Sequence, residues 1–170
     1  MVVYYSFIPS DASGFIVHLN TLLIDGEAAD AITRGVASFV MHENYERRQK
    51  SQAIRAFPDY ANTAAVIAEW GTNSSGGNLS KVLLKADVTV LENTLCASQY
   101  AVFNGANMLC AAGSDTATCQ GDSDGVEVGI ASLAKGCADT DYAGVYTRVS
   151  TYIGWIADAQ SNNPGRKFYG

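Results

Sequence analysis

Ser123 lies in the run Cys119-Gln120-Gly121-Asp122-Ser123-Asp124-Gly125, a hydroxyl set between two acids and close to a cysteine. The chemistry open to it is nucleophilic attack on a carbonyl carbon. A serine hydroxyl is a weak nucleophile at neutral pH until an adjacent base takes its proton, so whatever supplies that base decides what Ser123 is. By itself a Gly-Asp-Ser triplet reads as a turn. Four cysteines, Cys96, Cys110, Cys119 and Cys137, frame this region at spacings too wide for paired C-x-x-C zinc knuckles. Disulfides are the better reading, and at this point all of their possible pairings stay open. Each would restrict the unfolded chain by roughly 3 kcal/mol in an oxidising compartment. No metal and no cofactor is expected.

Such a site needs a scaffold, and short β-branched runs alternate with turn residues along the chain: GFIVHL, TLLIDG, GVASFVMH, AAVIAEWG, KVLLKADVTVL, EVGIASL and GVYTRV. That is the pattern of an all-β sandwich or barrel. In LLKADVTV the apolar positions are broken by Lys85 and Asp87, which predicts a strand with one wetter face. One helix is expected, at the end of the chain. After Ser150 as N-cap, TYIGWIADAQ puts Ile153, Ile156 and Ala157 at helical spacing, with Trp155 joining that face or capping its edge, and Pro164-Gly165 just beyond. The linker GTNSSGGN is short enough to be a hairpin loop, and there is no internal repeat.

The 170 residues, 48% hydrophobic and 16% charged, suit one globular domain with a real core. A net charge of -6 leaves no basic patch to neutralise phosphates, so nucleic acid is not an expected partner. The one basic cluster, ERRQK, begins with an acid and reads as a solvated turn. No apolar run approaches the roughly 20 residues that cross a bilayer, so no membrane association is expected. MVVYYSFIPSDASG lacks a basic start and a continuous apolar stretch, so no signal peptide is read in this chain. Asn73-Ser74-Ser75 and Asn78-Leu79-Ser80 are glycosylation acceptor triplets that, with the cysteines, lean towards a secreted protein.

Several separate pieces carry a resemblance. Cys119-Gln120-Gly121-Asp122-Ser123, the later GCADTDYAGVYTRVS, the EWGTNSSGGNLS turn and Tyr152-Ile153-Gly154-Trp155-Ile156 resemble, in content and order, the trypsin-like (chymotrypsin-fold) serine proteases. The likeness covers roughly residues 66 to 160. It implies an all-β double barrel with a C-terminal α-helix, the catalytic residues lying between the barrels. It also implies the pairings Cys96 with Cys110 and Cys119 with Cys137. Ser123 takes the nucleophile position, and the backbone N–H groups of Gly121 and Ser123 take the oxyanion-hole positions.

The first half matches more loosely, and there the resemblance implies losses. GVASFVMHENY is similar to the family's strand ending in H-P-x-Y, which makes His42 a surface residue. LNTLLIDGEA is similar to L-T-A-A-H-C-V-D-G when aligned on Asp25-Gly26, so the base position falls on Leu22 and the neighbouring cysteine on Leu23. SQAIRA takes the place of N-D-I-A-L, which sets Gln52 at the acid position. In the triad proteases, removing one member leaves only about 10³- to 10⁴-fold catalysis over water. After Ser123, Asp124-Gly125 runs straight into GVEVGIAS, so the core strand that follows the nucleophile is missing and its neighbours must re-pair or remain as edges. Asp122 loses its usual partner too, an N-terminal ammonium made at a site like I-V-G-G that this chain lacks. In the substrate pocket Ala117 stands where trypsins carry an aspartate, the S-W-G wall reads Ser132-Leu133-Ala134, and Gly144 is kept. A basic side chain would find no counter-ion at Ala117, and Asp115 could serve only after a register shift.

The resulting expectation is a single domain over residues 1–170: a remnant of the first barrel over 1–65, then the second barrel and terminal helix over 66–160. It is a monomeric protease homologue that does not cleave and acts by binding a protein or peptide through the former cleft. Two alternatives stay open: an active endopeptidase working through Ser123, and an incomplete gene product. The former would need His18, in FIVHLN, as replacement base, although its simpler reading is a strand histidine exposed or satisfied locally. Asp59 has only proximity in sequence to recommend it as an orienting acid.

Overall fold

The structure is a computed structural model that describes residues 12–43, 59–71, 77–113, 126–134 and 142–164. A 3-10 turn, Ala12–Gly14, leads into β1 (Ile16–Leu19), which pairs antiparallel with β2 (Ile32–Gly35) in a two-stranded sheet. β3 (Ala64–Glu69), β4 (Leu84–Val90), β5 (Met108–Gly113), β6 (Gly129–Leu133) and β7 (Gly144–Arg148) form a five-stranded sheet in the order β3-β4-β5-β7-β6, antiparallel throughout. Helix α1 (Asn93–Gln99) separates β4 from β5, and α2 (Val149–Asn162) follows β7. The all-β class with a terminal helix is as the sequence implies.

The register fixes which side chains share a face, because paired residues and residues two apart point the same way. Val88 and Val90 of β4, Leu109 and Ala111 of β5, and Gly144, Tyr146 and Arg148 of β7 lie on one face. Lys85 and Asp87 take the other and are exposed, the wetter face that LLKADVTV predicts. The second face is covered where α1 docks on β5: Cys96, Cys110, Ala143 and Val145 make the buried cluster, ringed by half-buried side chains such as Tyr100, Phe103 and Met108. The Cys96–Cys110 disulfide joins α1 to β5, with Cα atoms 6.0 Å apart, as the resemblance implies. Beside it the Tyr100 hydroxyl donates to the Ala143 carbonyl at 2.7 Å, and the Ala143 N–H donates to Gln99 Oε1 at 3.1 Å.

Several local expectations are corrected. TLLIDG is not a strand: Leu23 makes a single antiparallel bridge to Val82, and the chain then turns at Asp25-Gly26, where Gly26 sits at φ 72. GVASFVMH is not a strand either. β2 ends at Gly35; beyond it the Val36 N–H reaches the Phe15 carbonyl at 3.2 Å, and Phe39 meets Phe15 edge-on. MLCAAG is a strand and NTLCASQ a helix, neither of them expected. α1 has only seven residues and no side-chain cap, so its periodicity is too short to read; the disulfide and the Tyr100 and Gln99 bonds hold it.

The terminal helix is present but starts earlier and faces differently. Its N-cap is Arg148, so Ser150 lies buried in the first turn. Ile153 is 59% exposed and Ile156 38%, while Thr151, Tyr152, Trp155 and Ala159 are half-buried. The cause is tertiary. The His42 ring packs 5.4 Å from Tyr152 and 5.0 Å from Trp155, and Trp155 Nε1 donates to Glu43 at 3.0 Å, so the aromatic edge turns inward. Glu43 is held below its ordinary pKa by its own backbone N–H, then by Trp155 and His42, against desolvation.

Among the described residues nothing pairs with the outer side of β3 or of β6, so the sheet ends on two free edges. The sheet also curls, and Glu69 of β3 and Tyr146 of β7 share a face, with β4 and β5 between their strands.

Candidate functional site

The position that the sequence aligns with the base, Leu22, sits at a turn. Leu22 precedes the Leu23–Val82 bridge, and its carbonyl accepts two bonds, from the Leu83 N–H at 2.7 Å and from Trp70 Nε1 at 2.9 Å. Ile24 N–H donates in turn to the Lys81 carbonyl at 3.0 Å. The backbone here is tied to Trp70, Lys81 and Leu83, and the side chain it presents is an isobutyl group, 62% exposed. It has no atom that can accept a proton.

His18 lies on β1 opposite Thr33 of β2, and its Nδ1 is 3.0 Å from Thr33 Oγ1. The same ring lies so close over Gly26 that a side chain there would run into it. These are the local contacts of a strand histidine. Asp59 serves a turn: its Oδ1 accepts from the Ala61 N–H at 3.1 Å, and its carbonyl accepts from Arg148 Nη1 at 3.2 Å. His42 belongs to the aromatic contact with α2 described above.

Of the residues expected in a substrate pocket, Ser132 and Ala134 lie on and just after β6, and Gly144 opens β7; they are adjacent because Leu133 pairs with Val145. Ser132 and Ala134 are exposed. The Gly144 backbone lies against the Tyr146 hydroxyl, 3.0 Å from where a Cβ would stand. Ser123, Gly121, Ala117, Gln52, Cys119 and Cys137 lie outside the described residues. Among the described residues no group of three His, Cys, Asp or Glu side chains could hold a metal ion, and no helix is long and apolar enough to cross a membrane.

Two residues of β7 escaped the reading of the sequence. Burial first, and the Glu69 carboxylate second, push the Tyr146 hydroxyl above its ordinary pKa. Because the folded-state value is raised, the stabilisation it brings is complete below the ordinary tyrosine range and is lost as pH rises through the folded value. Tyr146→Phe should therefore flatten the alkaline limb of stability against pH, and Glu69→Gln should lower the Tyr146 value seen by ultraviolet difference titration. An unchanged alkaline limb in Tyr146→Phe would refute the assignment. The second residue is Arg148, which ends β7 and is 2% exposed, with bonds to Gly105, Asp59, Asn93 and Met108. Its only sequence signal was the apolar run GVYTRV that carries it.

The comparisons with known proteins agree with this layout. The chain is 37% identical over 108 residues to Trypsin alpha-3 of Lucilia cuprina, covering 58% of this chain and 66% of that protein. It is 34% identical over 169 residues to Fibrinolytic enzyme, isozyme C, of Lumbricus rubellus, covering 74% and 70%. Other curated trypsins are covered over as little as 41% of their length. The solved structure of neuropsin, a serine protease expressed in the limbic system of mouse brain, superposes with a TM-score of 0.65 at 24% identity, over 84% of this chain and 78% of that one, a likeness of fold. Since the family model Trypsin also spans residues 24–156, most of the sequence, the chain belongs to the trypsin family of serine proteases, with their chymotrypsin-like fold and its C-terminal helix.

Proposed function

We propose that this chain is a secreted, monomeric trypsin homologue that does not cleave peptide bonds and acts by binding a protein or peptide through the former cleft. The observation that carries this is Leu22. A hydrocarbon side chain stands at the aligned base position, and its backbone is pinned by Trp70 and Leu83, so the turn presents nothing that can take a proton from Ser123. His18 is an unpromising substitute because Thr33 and Gly26 occupy its ring. Gln52 is a poor acid, since an amide carries no charge to steady an imidazolium. Ser123, Gly121, Ala117, Ser132, Ala134 and Gly144 would then line a binding cleft, its wall lacking the anion that holds basic side chains. In this reading residues 1–65 are the remnant of the first barrel and 66–160 the second barrel with its helix. The buried Cys96–Cys110 disulfide, with Cys119–Cys137 as its proposed companion, suits an oxidising compartment.

The test is covalent. A serine-directed fluorophosphonate should label the protein at neutral pH no more than it labels Ser123→Ala. Stoichiometric labelling that Ser123→Ala abolishes would overturn the inactive reading. The free edges of β3 and β6 favour a second reading, an incomplete product of a protease gene. Frame-preserving missing exons around residues 18–26 and 123–126 in the genomic sequence would support it; uninterrupted coding sequence would refute it.

A further inference from the structure

β3 is paired along all six residues with β4, and nothing lies on its other side among the described residues. Along such an edge every second residue presents its N–H and C=O outward, a ready template for another strand. Natural edges are blunted by charges, lysine above all, by proline or by a bulge. β3, Ala64-Ala65-Val66-Ile67-Ala68-Glu69, has no lysine, proline or bulge and a single charge at its end; its register is unbroken and Val66 is 60% exposed. The other edge is a poorer template, because the pairing of β6 with β7 slips between Ala131 and Leu133 and disturbs the even ladder.

Charge says what the edge would accept. Ala65, Ile67 and Glu69 share the face that carries Val88, Leu109 and Tyr146. Glu69 is the only charged residue of β3, and its carboxylate has no hydrogen-bond or ion-pair partner among the described residues. A strand laid antiparallel on β3 sets one residue opposite Glu69, then others opposite Ile67 and Ala65 on the same face. Opposite-charge and apolar cross-strand pairs are the favourable ones. A second copy of this chain offers no such cation. Paired about Val66, two β3 strands leave Glu69 beyond the ladder; paired about Ile67, they set it opposite Ala65, and each chain carries a net charge of -6.

We propose that the free edge of β3 docks an extended segment of a partner protein, with the pattern basic-x-apolar-x-apolar from N to C, its Lys or Arg over Glu69. The segment becomes the next strand of the sheet. This surface uses none of the residues around Ser123, so it stands or falls separately from the reading of the cleft.

The experiment uses the full chain and the fluorescent peptide Lys-Thr-Val-Thr-Val-Thr, acetylated and amidated, with binding read by anisotropy and association state by sedimentation. Saturable binding to a monomer is expected. N-methylating the peptide at alternate residues should abolish binding in one parity and spare it in the other, because only every second N–H enters a ladder. Glu69→Lys, at an exposed position, should weaken binding about two- to fivefold, and the matching Glu-Thr-Val-Thr-Val-Thr peptide should recover it. Absence of binding, indifference to N-methylation or to the charge swap, or a dimer that excludes the peptide would each overturn the proposal.

Discussion

Arg148→Ala is expected to lose about 3–5 kcal/mol of folding stability, the largest effect of any single substitution proposed for this chain. The guanidinium is 2% exposed, and each of its nitrogens has a named acceptor. Nε donates to the Gly105 carbonyl at 3.1 Å, Nη1 to the Asp59 carbonyl at 3.2 Å, and Nη2 to Asn93 Oδ1 at 3.2 Å and the Met108 carbonyl at 3.0 Å. Burial lowers its pKa and Asp59 and Tyr60 oppose that, but arginine starts so high that the group stays charged at neutral pH. Alanine would remove the donors and leave the acceptors in a cavity, where each unsatisfied group costs about 1–3 kcal/mol less whatever water can enter. Arg148→Lys should recover only part of the loss, because one ammonium cannot span acceptors on the Asp59 turn, α1, the Gly105 turn and β5. Urea unfolding of the disulfide-intact protein measures this directly. A loss under about 1 kcal/mol for Arg148→Ala would show that the site closes or hydrates without penalty.

The paired change Cys96→Ala/Cys110→Ala is expected to cost about 3 kcal/mol, from the entropy returned to an unfolded chain whose crosslink spans a sequence separation of 14. Packing adds to this, since both sulfurs are fully buried in the cluster with Ala143 and Val145. The loss should be local first. α1 is seven residues long with no side-chain cap, too short to persist alone, so hydrogen exchange over Asn93–Gln99 should approach that of an open chain while β5 and β7 keep some protection. The denaturant slope should rise, because the unfolded state expands without the crosslink. An unchanged midpoint, with α1 still protected, would mean that the Tyr100 and Gln99 bonds to Ala143 suffice.

The sequence by itself determined the class and the family, and it set the expectation that the base is missing. β1, β3, β4, β6 and β7 were legible because period-two alternation and β-branched runs act within a few residues. The GTNSSGGN connection declared the β3–β4 hairpin, and the motif order implied Cys96 with Cys110. That Leu22, aligned with the base position, offers no proton acceptor was legible for the same reason, since that is a matter of residue type. What only the tertiary structure decided was everything that depends on closure. α1 is too short for periodicity to show, and it is held by a disulfide and by bonds to Ala143. The inward face of α2 follows from His42 and Glu43, more than a hundred residues earlier, and so Ile153 and Ile156 stay outside. TLLIDG has the composition of a strand, but a strand needs a partner along its length, and Leu23 finds only Val82. Arg148, read as one more residue in a strand, becomes a buried hub because four segments converge on it. Glu69 and Tyr146, far apart in the chain, share one face because β4 and β5 pair between their strands, and the same sheet leaves the outer side of β3 unpaired among the described residues.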